Sequence, residues 1–267
     1  MSALPEVAMS NPKSVALRKL HQGPDMLILP NAWDVASARI VEQAGYPAVA
    51  TSSAAVAWVL GYADGEEIER GEMLEMVARI ARAVRVPVTA DMEAGYGDAA
   101  GTARAVLEAG AVGMNLEDSV DEGLVPLEEQ VRRIEEVRKA APDLVLNART
   151  DAFPKHGVAE SVRRANAYLA AGADCAFVPF VTDGAAVAQL AREIRGPLNV
   201  LANPALPPLP ELRKMGVRRV SIGSRGACAA YGRLAKIAGE LRDSGTWQAM
   251  AEGAIPYAEM QKLMSRS

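Results

Sequence analysis

Two acids spaced two residues apart, Asp91 and Glu93, lie in the stretch Val88-Thr-Ala-Asp-Met-Glu-Ala-Gly-Tyr-Gly97. It opens as an apolar run after Pro87 and turns into acids and glycines, as a buried strand does when it runs into its terminal loop. In extended backbone, residues i and i+2 face the same way, so both carboxylates point to one side. Gly95 and Gly97 allow a tight turn and a close approach to the backbone. A second pair, Glu117-Asp118, closes the next apolar run, Val112 to Leu116. Carboxylates at the ends of successive strands suggest a hard-cation site of oxygen ligands. Mg²⁺ suits Asp91, Glu93 and Glu117 because it needs few protein carboxylates and keeps several waters. The same acids could instead cap helices or pair with arginines. Arg149, after the run Leu144 to Asn147, could fork onto a substrate carboxylate. It could also pair internally with Glu117 or Asp91, and both can hold at once. Ser52, with the backbone N–H groups of Ser53 and Ala54, could bind a second carboxylate edge; a plain helix cap or turn is the alternative.

Eight apolar runs alternate with helical patterns. The strands are read at Met26–Leu29, Ala48–Thr51, Pro87–Ala90, Val112–Leu116, Leu144–Asn147, Cys175–Val178, Leu198–Leu201 and Arg219–Ile222. A short helix over Ser14–His21 precedes them, and residues 1 to about 12 read as a loose tail. Asp34 can cap a helix running to Ala44. Further helices are expected at about 67–84, 99–109, 127–140, 159–171, 185–194, 209–215 and 224–241. Ser52-Ser53 follow the second strand, and a loop through Gly61-Tyr-Ala-Asp-Gly65 leads to the helix at about 67–84. The phrase Ala-Gly-X at Ala44, Ala109 and Ala171, with Met215-Gly216-Val217, marks helix ends leading into strands. Eight strand–helix cycles in 267 residues predict one closed (β/α)8 barrel domain over 1–267, with an extra helix at about 246–264. That helix has no place in a minimal barrel, so it is expected on a partner subunit or on the rim.

In such a barrel the C-terminal strand ends carry the chemistry. Here they hold Trp33-Asp34, Ser52-Ser53, Asp91, Glu93, Glu117, Arg149, Asp151, Asn203, Ser221 and Ser224, while the opposite ends, such as Val86-Pro87 and Gly196-Pro197, are bland. This asymmetry points to an enzyme.

The bulk properties exclude other classes. Net charge is −4 and no basic block exceeds a pair such as Arg132-Arg133, which argues against nucleic acid and membrane surfaces. No apolar run approaches membrane-spanning length, and the N-terminal residues lack an apolar signal core, so a cytoplasmic protein is expected. Cys175 and Cys228 make no disulfide framework and read as reduced residues in or near the core. His21 reads as a surface residue on the far side of the barrel, and His156 as an exposed loop residue. Gly95-Tyr-Gly-Asp-Ala-Ala100 imitates a dinucleotide fingerprint, with Glu117 where a ribose-binding acid would lie. It sits at the third strand, however, and Asp91 and Glu93 would repel a pyrophosphate.

Together these residues resemble the isocitrate lyase/phosphoenolpyruvate mutase superfamily, in its small-subunit branch. Pro30-Asn-Ala-Trp-Asp34, Thr51-Ser-Ser-Ala54, Asp91-Met-Glu-Ala-Gly-Tyr-Gly97, Asn115-Leu-Glu-Asp118 and Asn147-Ala-Arg-Thr-Asp151 follow its signatures in order, over roughly residues 15–260. The resemblance implies a barrel whose last helix is exchanged between subunits, usually in dimers of dimers. It implies Mg²⁺ near Asp91, Glu93 and Glu117, with Asp64 as an outer ligand. It also implies a substrate site at Trp33, Ser52, Ser53, Ala54, Asp91, Arg149 and Asn203. Chemistry through a pyruvate enolate would be stabilised by the metal and Arg149, with Glu117 as a further catalytic residue.

The chain departs from the lyases in one loop. Their Lys-Lys/Arg-Cys-Gly-His acid/base loop is here Ser119-Val-Asp-Glu-Gly-Leu-Val-Pro126, without Lys, Cys or His. The Glu after their sixth strand is also absent from Val178-Pro-Phe-Val-Thr182. A standard isocitrate or methylisocitrate lyase is therefore disfavoured. The leading expectation is a Mg²⁺-dependent lyase or decarboxylase acting on a small 2-oxo or 2-hydroxy dicarboxylic acid. A P–C bond enzyme acting on a phosphonate and a catalytically silent oxo-acid-binding module are the alternatives.

Overall fold

The computed structural model describes residues 11–120 and 123–265. Most of the expected loose tail, residues 1–10, lies outside the described residues, as do positions 121–122 of the loop after the fourth barrel strand. Helix α1 (Pro12–Gln22) starts where Asn11 accepts a hydrogen bond from the Lys13 N–H at 2.9 Å, with Pro12 in the first turn. Strands β1 (Leu27–Leu29) and β2 (Asn31–Ala32) follow, then α2 (Val35–Gln43), capped reciprocally by Asp34 and Ser37. After β3 (Val49–Thr51) come α3 (Ser53–Leu60) and α4 (Arg70–Ala83), then β4 (Val88–Asp91) and α5 (Ala99–Glu108). Strand β5 (Gly113–Glu117) leads into the antiparallel pair β6 (Ser119–Val120) and β7 (Gly123–Leu124), then α6 (Leu127–Ala140). The chain continues as β8 (Val145–Arg149), α7 (Phe153–Ala170), β9 (Cys175–Val178), α8 (Gly184–Glu193), β10 (Leu198–Leu201), α9 (Leu209–Met215), β11 (Arg219–Ser221) and α10 (Arg225–Ser244). The segment ends in α11 (Gln248–Ala251) and α12 (Tyr257–Met264).

All strands but β6 and β7 form one parallel sheet in the order β1-β11-β10-β9-β8-β5-β4-β3-β2. Its two edges, β1 and β2, are one strand interrupted at Pro30, so the sheet closes on itself as the expected (β/α)8 barrel. Proline has no N–H to give a ladder, which breaks the strand there. Asn31 bridges the break: its Oδ1 accepts from the Ile222 and Gly223 N–H groups at 2.9 and 2.8 Å, and its Nδ2 donates to Thr51 O at 2.7 Å. One amide thus ties the eighth barrel strand to the second across the site end.

The helix-end glycines behave as the repeated phrase predicts: Gly45, Gly110, Gly172 and Gly216 all have φ between 88° and 108°. Some readings are amended. Residues 53–60, given no element above, are helical; Ser53-Ala-Ala-Val-Ala-Trp-Val-Leu60 is apolar nearly all round, so it lacks the periodicity that betrays a surface helix. Helix α7 is kinked at Gly157, φ 72°; the part after the kink is the helix expected from about 159, and a first turn from Phe153 precedes it. The extra C-terminal helix is two short ones, of which α12 returns to α2 through Arg39 Nη1 donating to Leu263 O at 2.9 Å. Cys228 is exposed, whereas Cys175 is buried.

His21 is also buried, at 2 % exposure, in the floor of the barrel rather than on the surface. Its Nδ1 faces Leu17 O at 2.8 Å and its Nε2 faces Arg219 Nη1 at 3.3 Å. A carbonyl only accepts and a guanidinium only donates, so the ring is neutral with its proton on Nδ1. Burial, and then the Arg219 charge, push its pKa down from 6.5 to about 4. The unfolded chain therefore binds the extra proton first. The contribution to stability is complete above pH 6.5 and is lost as pH falls towards 4, amounting to about 3 kcal/mol. Urea unfolding across pH 4–7 should show the stability of the wild type relative to His21→Gln falling as pH drops from 6.5 towards 4; a difference independent of pH would contradict this. Separately, Asn31→Leu leaves buried N–H groups unpaired and should lower the unfolding free energy by about 1–3 kcal/mol.

Candidate active site

The parallel registers stack the polar residues in layers. Asp91 pairs with Asn115 and Asn115 with Asn147; one level higher, Glu117 pairs with Arg149 and Arg149 with Phe177. Alternate residues of a strand face the barrel axis. Asn115 and Glu117 therefore both face inward, as do Asn147 and Arg149. Asp118 points the other way. It is fully buried against α7, where its Oδ2 meets Arg164 Nη1 at 3.1 Å and accepts from the Tyr168 hydroxyl at 2.6 Å. The acid pair seen in the sequence is thus divided between a site residue and a structural one.

Two spaces open at this end. The inner pocket, 140 Å³, is lined by Ser52, Ser53, Ala54, Asp64, Asp91, Asn115 and Arg149 on one side and Phe177, Pro179, Phe180 and Leu201 on the other, with Asn31, Ser221, Gly223 and Ser224 between them. The outer cleft, 760 Å³, is lined by Glu66, Glu93, Glu117, Ser119, Asp151, Lys155 and Phe180 among others. Asp91 accepts from the Ser53 N–H (3.2 Å) and hydroxyl (3.0 Å) and from Asn115 Nδ2 (3.1 Å). Asn115 is held in that orientation because its Oδ1 accepts from Asn147 Nδ2 at 2.7 Å. Glu93 accepts from the Gly65 and Glu66 N–H groups at 3.0 and 2.7 Å and from the Tyr96 hydroxyl at 3.2 Å. Arg149 meets Glu117 at 2.6 Å through Nη1, and Asp151 at 2.7 Å through both Nε and Nη2. The Ser119 hydroxyl lies 3.1 Å from Glu117 and 2.9 Å from Asp151.

Among the described residues, all non-glycine positions with positive φ lie at this rim: Glu66, Glu93, Tyr96 and Phe180. Backbone held in that region costs energy and tends to gather at functional sites. Gly95, at φ 93°, passes so close to α5 that an added Cβ would lie 2.9 Å from Ala99 Cα. This tight turn lets the loop carry Glu93 back over the barrel mouth.

The acids repel one another. Burial, then Asp64 and Asp91, raise Glu93 to about 7. Asp64 is raised by burial and then by Asp91. Glu117 is raised by burial to about 8. Arg149 opposes that rise, but it is shared with Asp151, and Asp91 adds to the repulsion, so the upward direction is the one we hold to. Such a collection favours a proton or a cation. No three Asp, Glu, His or Cys side chains among the described residues converge as a direct metal set. The acids are instead divided, with Asp91 and Asp64 on the inner pocket and Glu93 and Glu117 on the outer cleft; a cation such as Mg²⁺, which keeps several waters, would need few of them directly.

Several residues stand elsewhere or went unread. Asn203 donates to Val181 O at 2.9 Å and lines neither space. The Trp33 ring lies against Gly226, where an added Cβ would meet it at 3.2 Å. His156 is exposed, as expected. Asn115, Ser119, Tyr96 and Phe180 were not singled out as site residues. The two-residue spacing of Asn115 to Glu117 was a usable signal; the other three depend on loop conformation.

The fold and site define a parallel (β/α)8 barrel with an acid-rich mouth built around the ion-paired Arg149. The chain belongs to the phosphoenolpyruvate phosphomutase family, whose model matches residues 17–242. It is 34% identical over 198 residues to a 2-methylisocitrate lyase of Bacillus subtilis, covering 70% of this chain and 65% of the relative. It is 35% identical over 216 residues to an oxaloacetate decarboxylase of Ectopseudomonas mendocina, covering 75% and 74%. A provisionally described lyase/mutase from Burkholderia cenocepacia superposes with a TM-score of 0.89 at 35% identity, covering 95% of this chain and 96% of that one. Among the described residues no helix is long and apolar enough to cross a membrane.

A metal ligand must be ionised, so if Glu93 and Glu117 hold Mg²⁺, its binding should expel the protons they carry near pH 7. Calorimetric affinity for Mg²⁺ should rise steeply between pH 6 and 8.5, with proton release visible in buffers of different ionisation enthalpy. A flat profile would contradict the assignment.

Proposed function

We propose that the chain is a Mg²⁺-dependent lyase or decarboxylase-like enzyme. It would cleave a C–C bond of a small 2-oxo or 2-hydroxy dicarboxylic acid through a pyruvate enolate-type intermediate. The observation that carries this reading is the polar wall of the inner pocket, where Ser53, Asp91, Asn115 and Arg149 converge on a volume of 140 Å³. The lyase and decarboxylase relatives support it. Mg²⁺, when bound, would polarise the oxygens of the oxo acid. Arg149 carries a second N–H on each of Nη1 and Nη2 beyond those given to Glu117 and Asp151, and these would meet the developing oxyanion. Ser52, Ser53 and Ala54, at the start of α3, would orient a carboxylate with backbone N–H groups. Glu117, lifted by burial, would hold and release a proton with Ser119 beside it. Trp33 and Asn203 would act by shaping the rim. The match to the phosphomutase model keeps a P–C bond reaction as the second reading.

We also propose a cytoplasmic homo-oligomer, a dimer of dimers in which the C-terminal segment is exchanged. Exposed Trp247, Met250, Ile255 and Tyr257 support this reading, since an apolar patch of that kind suits a subunit contact.

A panel of 2-oxo and 2-hydroxy dicarboxylic acids, assayed for pyruvate or CO₂ release with and without Mg²⁺, tests the activity. We expect Mg²⁺-dependent release from at least one member, reduced about 10²–10³-fold in kcat by Arg149→Lys. Turnover seen only by phosphorus NMR on a phosphonate favours the second reading. Oxalate binding with no product in either assay would instead indicate a silent oxo-acid-binding module.

A further inference from the structure

The inner pocket is two-faced, and the division follows the barrel. Its polar groups come from the ends of β3, β4, β5 and β8, Ser53, Asp91, Asn115 and Arg149, and from β2 and the end of β11, Asn31, Ser221 and Ser224. Its apolar groups come from the ends of β9 and β10: Phe177, Pro179, Phe180 and Leu201. In the strand order, β3 and β4 lie diametrically across from β9 and β10. The apolar groups thus form one sector of an otherwise polar lining, and a small acid with its oxygens on Asp91, Asn115 and Arg149 meets that sector with its remaining substituent.

Phe180 is the residue of that wall which also reaches the outer cleft. It is 47 % exposed, in a position where a polar residue would cost less. Its φ of 63° is unfavourable for a bulky aromatic residue. The flanking structure imposes this conformation. Val181, 1 % exposed, is buried in the second core cluster, and its carbonyl is held by Asn203 Nδ2 at 2.9 Å. The result is a ring over the Arg149 guanidinium, 5.6 Å from Cζ to centroid, with Phe177 at 5.9 Å. An exposed, strained aromatic at the junction of two cavities calls for a ligand that covers it.

Building on the oxo-acid reading above, we propose that Phe180 determines specificity by receiving an alkyl substituent on the carbon next to the oxo or hydroxy carbon of the ligand. Substrates branched or extended by a methyl or ethyl group there are preferred over the unsubstituted acid. Asn203 acts through Val181 as a positioning residue for the ring.

The test reads binding, so it does not depend on turnover. In the presence of Mg²⁺, the affinities of oxalate, pyruvate, 2-oxobutanoate and 2-oxopentanoate are measured by calorimetry for the wild type, Phe180→Ala and Phe180→Leu. We expect each added methylene to tighten binding to the wild type by about 10-fold, within the range for one methylene in an apolar pocket. Phe180→Ala should flatten that series, and Phe180→Leu should retain most of it. Oxalate, which has no alkyl group, should bind all three proteins alike and so report that they are folded. A chain-length series with the same slope in the wild type and Phe180→Ala overturns the proposal. If oxalate and pyruvate fail to bind the wild type, the oxo-acid reading itself fails instead.

Discussion

Carboxylate crowding governs this molecule. Asp64, Asp91, Glu93, Glu117 and Asp151 share the barrel mouth, and Arg149 is the cation that pairs with two of them. In water each acid would ionise independently. Half-buried at the mouth, Asp64, Glu93 and Glu117 are pushed towards the protonated form first by burial and then by the acids beside them. The arrangement persists because neutral donors are aimed at nearly every acid: the Ser53 hydroxyl and N–H, the Gly65 and Glu66 N–H groups, Asn115, Tyr96 and Ser119. The donors come from loops and helix starts that the fold bends inward at some cost in backbone strain. A site so poised can take up a proton or a divalent ion, and either would relieve the repulsion.

Beneath the mouth the barrel interior stays polar, which is an unusual way to fill a core. Arg219, 1 % exposed, has neutral His21 and Asn115 as its side-chain partners, at 3.3 and 3.4 Å. Thr89 Oγ1, Asn147 Oδ1 and Arg219 Nε have no hydrogen-bond partner. Buried polar groups in this condition destabilise a fold. Their nearness to Asp91 shows what the chain gains: Asn115, tethered from below by Asn147 and Arg219, must present its N–H₂ to Asp91. The stability comes from elsewhere, from the layer of apolar residues between strands and helices, where Val77, Ile80, Met114, Leu116, Ile134 and Leu144 are fully buried.

The two walls of the inner pocket express the same economy of position. Strand ends on one side carry groups that bind oxygens, and those diametrically opposite carry rings and a proline. After β5 the small hairpin of β6 and β7 brings Ser119, Val120, Gly123 and Leu124 to the outer cleft.

The sequence by itself determined the barrel, seven of its eight helix-bearing cycles to within a few residues, and the acids and arginine at its mouth. These were legible because strand periodicity, Asp34 and glycine helix ends, and polar strand termini are local properties of the chain. It did not reveal α3, whose uniformly apolar surface has no period, nor the buried place of His21, which is set by a helix closing the barrel floor. Only the tertiary structure decided that Asp118 faces away while Glu117 faces in, that Asn31 seals the barrel across Pro30, and that Phe180 stands over Arg149. Each of these depends on register or on a loop dihedral, and those are fixed by which strands become neighbours. Asp91 and Glu93, two residues apart, were read as a pair; in the folded chain they serve adjoining compartments, because the left-handed turn at Glu93 redirects the second carboxylate toward the Gly65–Glu66 backbone.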